Sequence, residues 1–252
     1  MRLEGKVALV TGAAHDRGIG CGIALALAQE GCDVAVNDVA FAEMGEELAE
    51  RIQSRGRRAR FYRASVAERA EVEGMIEAVV GDLGRLDIVC SNAGTADWQP
   101  WTAITRESLE HIVAVNLTGA FNVGQAAART MVAAGDGGRI VYTSSVHVQM
   151  PFPTMAVYGA TKQAVRALSE SMAVELAQYG ITVNHIGPGW VKSQLNDPSP
   201  DLQTEEQERA TLRLIPIPRP AEPVELGRAV VYLCSSDGDY VTGEFLRVDG
   251  GF

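Results

Sequence analysis

The sequence predicts a single α/β domain, with a doubly wound, mostly parallel seven-stranded sheet and helices on both faces. Three observations carry that prediction. Short β-rich apolar runs alternate with longer helical patterns from one end of the chain to the other. Runs such as Val7-Ala8-Leu9-Val10 lack polar alternation, as expected of strands buried on both sides. The length, 252 residues, is ordinary for one α/β unit.

In chain order, strands are expected over 6–10, 33–38, 59–63, 86–91, 139–143, 182–186 and 245–248. Amphipathic segments lie between them, as in Ile23, Leu25, Leu27 and Ala28 after the first strand. Gly31, Gly56, Gly84 and Gly180 close several of these segments, where a left-handed cap is wanted. The stretch 192–220 breaks the rhythm: it is polar, rich in Pro and Glu, and carries only a short helical pattern over 205–214. A connection of that length is read as a substrate lid, the alternative being a passive loop.

A net charge of −10 and the lack of a basic patch argue against nucleic-acid binding, and the densest basic stretch, 55–60, reads as a solvated helix end. Cys21, Cys32, Cys90 and Cys234 are scattered, with no metal-ligand spacing, so neither a metal site nor a disulfide framework is expected. The N-terminal MRLEGKVALVTG does not read as a signal peptide, and no apolar run approaches the ~20 residues of a membrane span. A cytoplasmic protein is the expectation.

The first strand runs into Thr11-Gly12-Ala13-Ala14-His15-Asp16-Arg17-Gly18-Ile19-Gly20 and then into a helix. Glycines there let the backbone turn tightly and approach a pyrophosphate that the helix N-terminus stabilises. Asp38, ending the second strand, sits where a carboxylate can accept hydrogen bonds from an adenosine ribose, and it would repel a 2′-phosphate. Tyr158 and Lys162 lie four residues apart on one helical face, so a neighbouring ammonium can lower the phenol's pKa. Ser144-Ser145 ends the fifth strand, at the sheet edge where open α/β folds bind ligands. Ser145, Tyr158 and Lys162 would then converge on one carbonyl.

With the Gly-rich turn, these residues resemble the short-chain dehydrogenase/reductase family, a Rossmann-type fold, over nearly the whole chain. Further matches are Asn92-Ala93-Gly94, Asn116 in Asn116-Leu117-Thr118-Gly119, Pro188-Gly189 and the terminal Val248-Asp249-Gly250-Gly251. The resemblance implies hydride transfer between a nicotinamide cofactor and a secondary alcohol or ketone. Tyr158 would be the general acid/base and also contact the cofactor, Lys162 would bind the nicotinamide ribose and depress the tyrosine's pKa, Ser145 would orient the substrate oxygen, and Asn116 would help hold a water in a proton relay. Gly12, Gly18, Ile19, Gly20, Asn92, Ala93, Gly94, Pro188 and Gly189 would hold the cofactor, with Val191 and Ser193 at its carboxamide. The family's usual assembly is a homotetramer. A dinucleotide-binding regulator without catalysis is the rival reading, and the presence of both Tyr158 and Lys162 disfavours it.

Two departures stand out. Five residues separate Gly12 from Gly18 where the family has three, so the loop must bulge and the contacts of His15, Asp16 and Arg17 are open. Ser65, ahead of Val66, replaces the usual Asp beside the adenine. Asp38 followed by Val39 favours NAD, and Arg17 is the argument for NADP.

Ser145-Val146-His147 with Pro151 and Pro153 is similar to bacterial glucose 1-dehydrogenases, and Asn196 matches a sugar-contacting position of that group. The Ser-x-His spacing also resembles 3-hydroxybutyrate dehydrogenases. A sugar or polyol dehydrogenase and a 3-hydroxy acid or 3-oxoacyl reductase therefore both stay open, with His147 as the expected substrate contact. Trp98, Met155, Phe152 and Trp190 either line an apolar pocket or simply pack.

Overall fold

The structure is a computed structural model describing residues 1–193, 195, 210 and 212–252. Among them, β1 (Val7–Val10), β2 (Asp33–Asp38), β3 (Ala59–Arg63), β4 (Ile88–Ser91), β5 (Gly138–Thr143), β6 (Ile181–Pro188) and β7 (Phe245–Val248) form one sheet. Its order is β3-β2-β1-β4-β5-β6-β7, and every pairing is parallel, so the sheet is wholly rather than mostly parallel. The helices are α1 (Ile19–Gln29), α2 (Ala42–Gln53), α3 (Arg69–Leu83), α4 (Arg106–Val113), α5 (Gly119–Ala134), α6 (Ala156–Leu176) and α7 (Pro223–Cys234).

Alternation along each strand sends neighbours to opposite faces. Ala8, Val10, Val34 and Val36 enter one core with Ile23 and Leu27 of α1, Leu48 and Ile52 of α2, and Leu226 and Val230 of α7. Val7, Leu9 and Ala35 enter the other with Ile76 of α3, Val123 of α5 and Val165 of α6. Both faces are therefore covered, which is why these strands read as continuous apolar runs. Each large aliphatic side chain buried this way contributes roughly 1.5–3 kcal/mol. Gly31, Gly56, Gly84 and Gly180 all take positive φ, as the capping pattern predicts.

The strand order turns back at β1, which has β2 on one side and β4 on the other. That arrangement opens a crevice beyond the carboxyl ends of β1 and β4. Thr11 stitches its floor: its hydroxyl accepts from the amides of Asn92 (3.0 Å) and Ala93 (3.1 Å). The Asn92 side chain donates to the carbonyls of Thr11 and Gly12 and accepts from Thr143 Oγ1 at 3.1 Å, tying β1, β4 and β5 together.

Between α4 and α5 the chain widens into a π-helical turn, Ala114–Thr118, which carries Asn116 inward. Most of the expected lid lies outside the described residues, including Asn196 and residues 205–209 and 211 of the helical pattern over 205–214. Its two stems are anchored. Val191 pairs with Ala221, and the amide of Ile217 donates to the carbonyl of Gly250 at 3.0 Å.

Candidate active site

A cleft of about 390 Å³ opens over the crevice. At one end Gly12 holds φ +60°, and a Cβ there would stand 2.7 Å from Ala93 Cα. A Cβ on Gly20 would stand 2.4 Å from the carbonyl oxygen of Gly12. The turn and the start of α1 thus interlock with no room for side chains. Gly18 caps α1 without a side-chain hydrogen bond, which leaves the positive helix terminus open towards the cleft. A bare helix N-terminus behind a close glycine turn fits the pyrophosphate of a dinucleotide.

The two extra loop residues fold back on themselves. The amide of Gly18 donates to the carbonyl of His15 (2.8 Å), the amide of Arg17 donates to His15 Nδ1 (3.2 Å), and the imidazole meets Phe41 edge-on at 5.1 Å. Asp38 closes the other side: its carboxylate accepts from the amides of Ala14 (3.2 Å), Val39 (2.9 Å) and Ala40 (3.1 Å). Asn37 beside it is buried and donates to the carbonyls of Tyr62 and Ala64 at the end of β3. Ser65 and Val66 continue the wall, where the Ser65 amide donates to Glu71 at 2.8 Å.

At the reacting end β5 delivers Ser145 and α6 delivers Tyr158 and Lys162, all three buried. Burial pushes the Tyr158 phenol up, and a hydrogen bond with Ser145 works against that shift. Lys162 Nζ donates to the carbonyl of Thr143 at 2.9 Å and stands 5.4 Å from the centre of the Tyr158 ring. Burial brings its pKa down to about 8, so the ammonium titrates close to neutrality. The helix holding both is fixed to β5 by Ser144 Oγ, which donates to the carbonyl of Lys162 at 3.2 Å.

Past Tyr158 the walls become aromatic. His147 stacks on Phe152 with centroids 4.5 Å apart, and Phe152 faces Phe252 at 5.8 Å. Trp98, Met155, Trp190 and Leu195 complete this end. Gln99 ties its rim: its amide donates to the carbonyl of Thr154 (3.0 Å), and its side chain reaches Asp97 (2.7 Å) and the Thr105 amide (3.2 Å). Thr154 holds φ +66°, a costly conformation for a β-branched residue, and its carbonyl is tethered by the Gln99 amide.

Gly12, Gly18, Ile19, Asp38, Ser65, Val66, Asn92, Ala93, Gly94, Pro188, Gly189, Val191 and Ser193 all line one cleft with Ser145, Tyr158, Lys162, His147, Trp98, Met155 and Trp190. Of the expected residues that are described, three do not line it. Gly20 lies beneath, packed on Gly12. Arg17 belongs to the folded-back turn, on its exposed side. The Asn116 amide is turned to the Thr95 backbone (2.8 and 2.9 Å) and to Thr161 Oγ1 (3.2 Å), so it braces the wall beside Gly94 instead of facing the cleft. Sequence reasoning missed Phe41, Thr95, His111, Val115 and Phe252, which line the cleft from distant segments. They share no residue type or spacing that would have singled them out.

The chain matches, over residues 12–252, the family described as Enoyl-(Acyl carrier protein) reductase. A hydroxynaphthalene reductase-like protein of Metarhizium brunneum is 36% identical over 259 residues, covering 99% of this chain and 95% of that protein. Among solved structures, a short-chain type dehydrogenase/reductase from Mycobacterium marinum superposes with TM-score 0.91 at 36% identity, covering 99% of this chain and 96% of that one. A gluconate 5-dehydrogenase from Burkholderia cenocepacia, in complex with NADP and tartrate, gives TM-score 0.92 at 36% identity with the same coverage.

Proposed function

The chain belongs to the short-chain dehydrogenase/reductase family, a nicotinamide-dependent oxidoreductase acting on CH–OH groups, and from that premise we propose that Tyr158 exchanges the proton with the substrate oxygen. The observation that carries this reading is the buried contact of Ser145 with the Tyr158 phenol, with Lys162 behind the ring. The bound nicotinamide supplies the hydride acceptor or donor at the carbon bearing that oxygen. In the reductive direction the phenol, kept protonated by burial, donates its proton to the oxygen as negative charge develops there. In the oxidative direction it must first lose that proton, and the neighbouring Lys162 ammonium favours the phenolate. Ser145 orients the substrate oxygen by hydrogen bonding. Asn116 acts through Thr95 and Thr161, and its contribution is positional.

The cofactor is proposed to be NAD. Asp38 is fixed by three backbone amides with its carboxylate on the cleft wall, and a 2′-phosphate would meet that negative charge. Arg17, the counter-argument, does not line the cleft. The quaternary state we propose is a homotetramer, for which the exposed Leu109, Phe121 and Val174 offer apolar surface. Light scattering on a sizing column reads it directly.

The test of the acid/base assignment is Tyr158→Phe, which keeps the ring and removes the oxygen. Turnover is expected to fall by ~10²- to 10⁴-fold. A folded variant retaining more than half the wild-type rate refutes the role.

A further inference from the structure

Resting on the oxidoreductase reading, we propose that the substrate is an uncharged, flat, ring-bearing ketone or secondary alcohol that lies against a wall of stacked rings leading to Tyr158. The wall is geometric. His147 and Phe152 are nearly parallel, 23° apart at 4.5 Å, and Phe252 continues the row at 31° and 5.8 Å. Tyr158 stands almost perpendicular to His147, at 85° and 5.3 Å, and so closes the row at the reacting end. Rings stacked in this way cover each other's faces and turn their edges to the cleft that all three line, which suits the face of a planar ring substrate by edge-to-face contact. Trp98, Met155 and Trp190 add further apolar lining.

Charge argues the same way. Apart from His111 and His147, the only ionisable lining groups besides tyrosine, among the described residues, are Asp38 and Lys162. Asp38 is at the adenosine end. Lys162 is committed to the Thr143 carbonyl behind the tyrosine ring. Burial, reinforced by Lys162, lowers the His147 pKa to about 4, so the imidazole is neutral at physiological pH. A substrate carboxylate would therefore be desolvated beside a ring that carries no charge, a costly placement. A polyol fares little better against the rings, because each buried hydroxyl without a partner costs free energy and the His147 imidazole is the one polar side chain of the row.

His147 itself can hold one polar group. Its Nδ1 is sealed from solvent with no hydrogen-bond partner among the described residues. A buried N–H without a partner is rarer than a bare acceptor, so the proton belongs on Nε2. That nitrogen can donate to a ring carbonyl or hydroxyl of the substrate.

The test compares 2-tetralone, levulinate and butanone as substrates of the wild-type enzyme, with whichever reduced nicotinamide it prefers. The kcat/KM for 2-tetralone is expected to exceed that for levulinate by about 100-fold. Phe152→Ala should raise KM for 2-tetralone about tenfold and KM for butanone much less, so that the ratio of the two kcat/KM values falls. Levulinate matching 2-tetralone, or a Phe152→Ala variant with unaltered KM for 2-tetralone, overturns the proposal. If none of the three ketones is reduced, the acid/base reading is judged by Tyr158→Phe on the best alcohol substrate found. The substrate class is then decided by equilibrium dialysis of 2-tetralone against the reduced-cofactor complex of Tyr158→Phe: binding that levulinate does not compete for supports it, and no binding overturns it.

Discussion

At one end of the cleft, Gly12, Asn92 and Ala93 are set by contacts within and between β1 and β4, and the groups offered to a ligand are chiefly backbone amides and a helix terminus. At the other end, His147 and Phe152 of the connection between β5 and α6 meet Phe252 from beyond β7, and the groups offered are side chains. The difference teaches how each end responds to change. A backbone site tolerates almost any substitution that leaves the main chain in place and fails when a Cβ enters it. A side-chain site is retuned by single substitutions, and the chemistry at Tyr158 stands between the two.

The largest effect expected from breaking this contrast is at Gly12. Gly12→Val must abandon φ +60° or drive a branched side chain into Ala93, so NADH binding should weaken at least ~10-fold in a fluorescence titration. Near-normal affinity would mean that the backbone turn is not the binding element. At Asp38 the site departs from its own rule, since a side chain sets the choice of cofactor. Asp38→Ser should move the kcat/KM ratio towards NADP by roughly 10- to 100-fold, and an unchanged ratio would return the choice to Arg17 or another group.

At the substrate end, Gln99→Ala removes the side-chain bonds to Asp97 and the Thr105 amide and loosens the rim that holds Thr154. KM for the best substrate should rise severalfold with NADH affinity unchanged. A parallel loss of both would show that the two ends are mechanically coupled.

The smallest effect is on stability. His147 and His185 are both pushed down to about 4 from 6.5, chiefly by burial. Between those values the unfolded chain binds more protons than the folded one, so stability falls as pH is lowered from about 6.5 to 4. His185 is fully buried, with Nδ1 2.9 Å from Ser169 Oγ. His185→Gln should therefore flatten the decline in Tm over that interval, and an unchanged slope would locate the acid sensitivity elsewhere.

The same contrast explains what was legible in the sequence. The β-strands are local apolar runs, and their predicted positions agree with the observed ones to within two residues at each end. Gly12 and Asp38 were readable because their requirements are local to a turn and a strand end. Tyr158 and Lys162 were readable because one helix sets their spacing. Asn116 was found as a motif but not in its bracing role, because the π-helical turn that carries it inward has no local signature. Phe252 against Phe152, and Gln99 against Thr154, are contacts between distant segments that only the folded sheet brings together.

The most direct test of the division between a binding end and a reacting end is an NADH titration of Tyr158→Phe, with turnover measured on the same preparation. The expected result is a dissociation constant within about threefold of wild type alongside a turnover loss of ~10²-fold or more. An NADH affinity that falls in proportion to turnover would contradict it, because the phenol oxygen would then be needed to hold the cofactor and not only to move the proton.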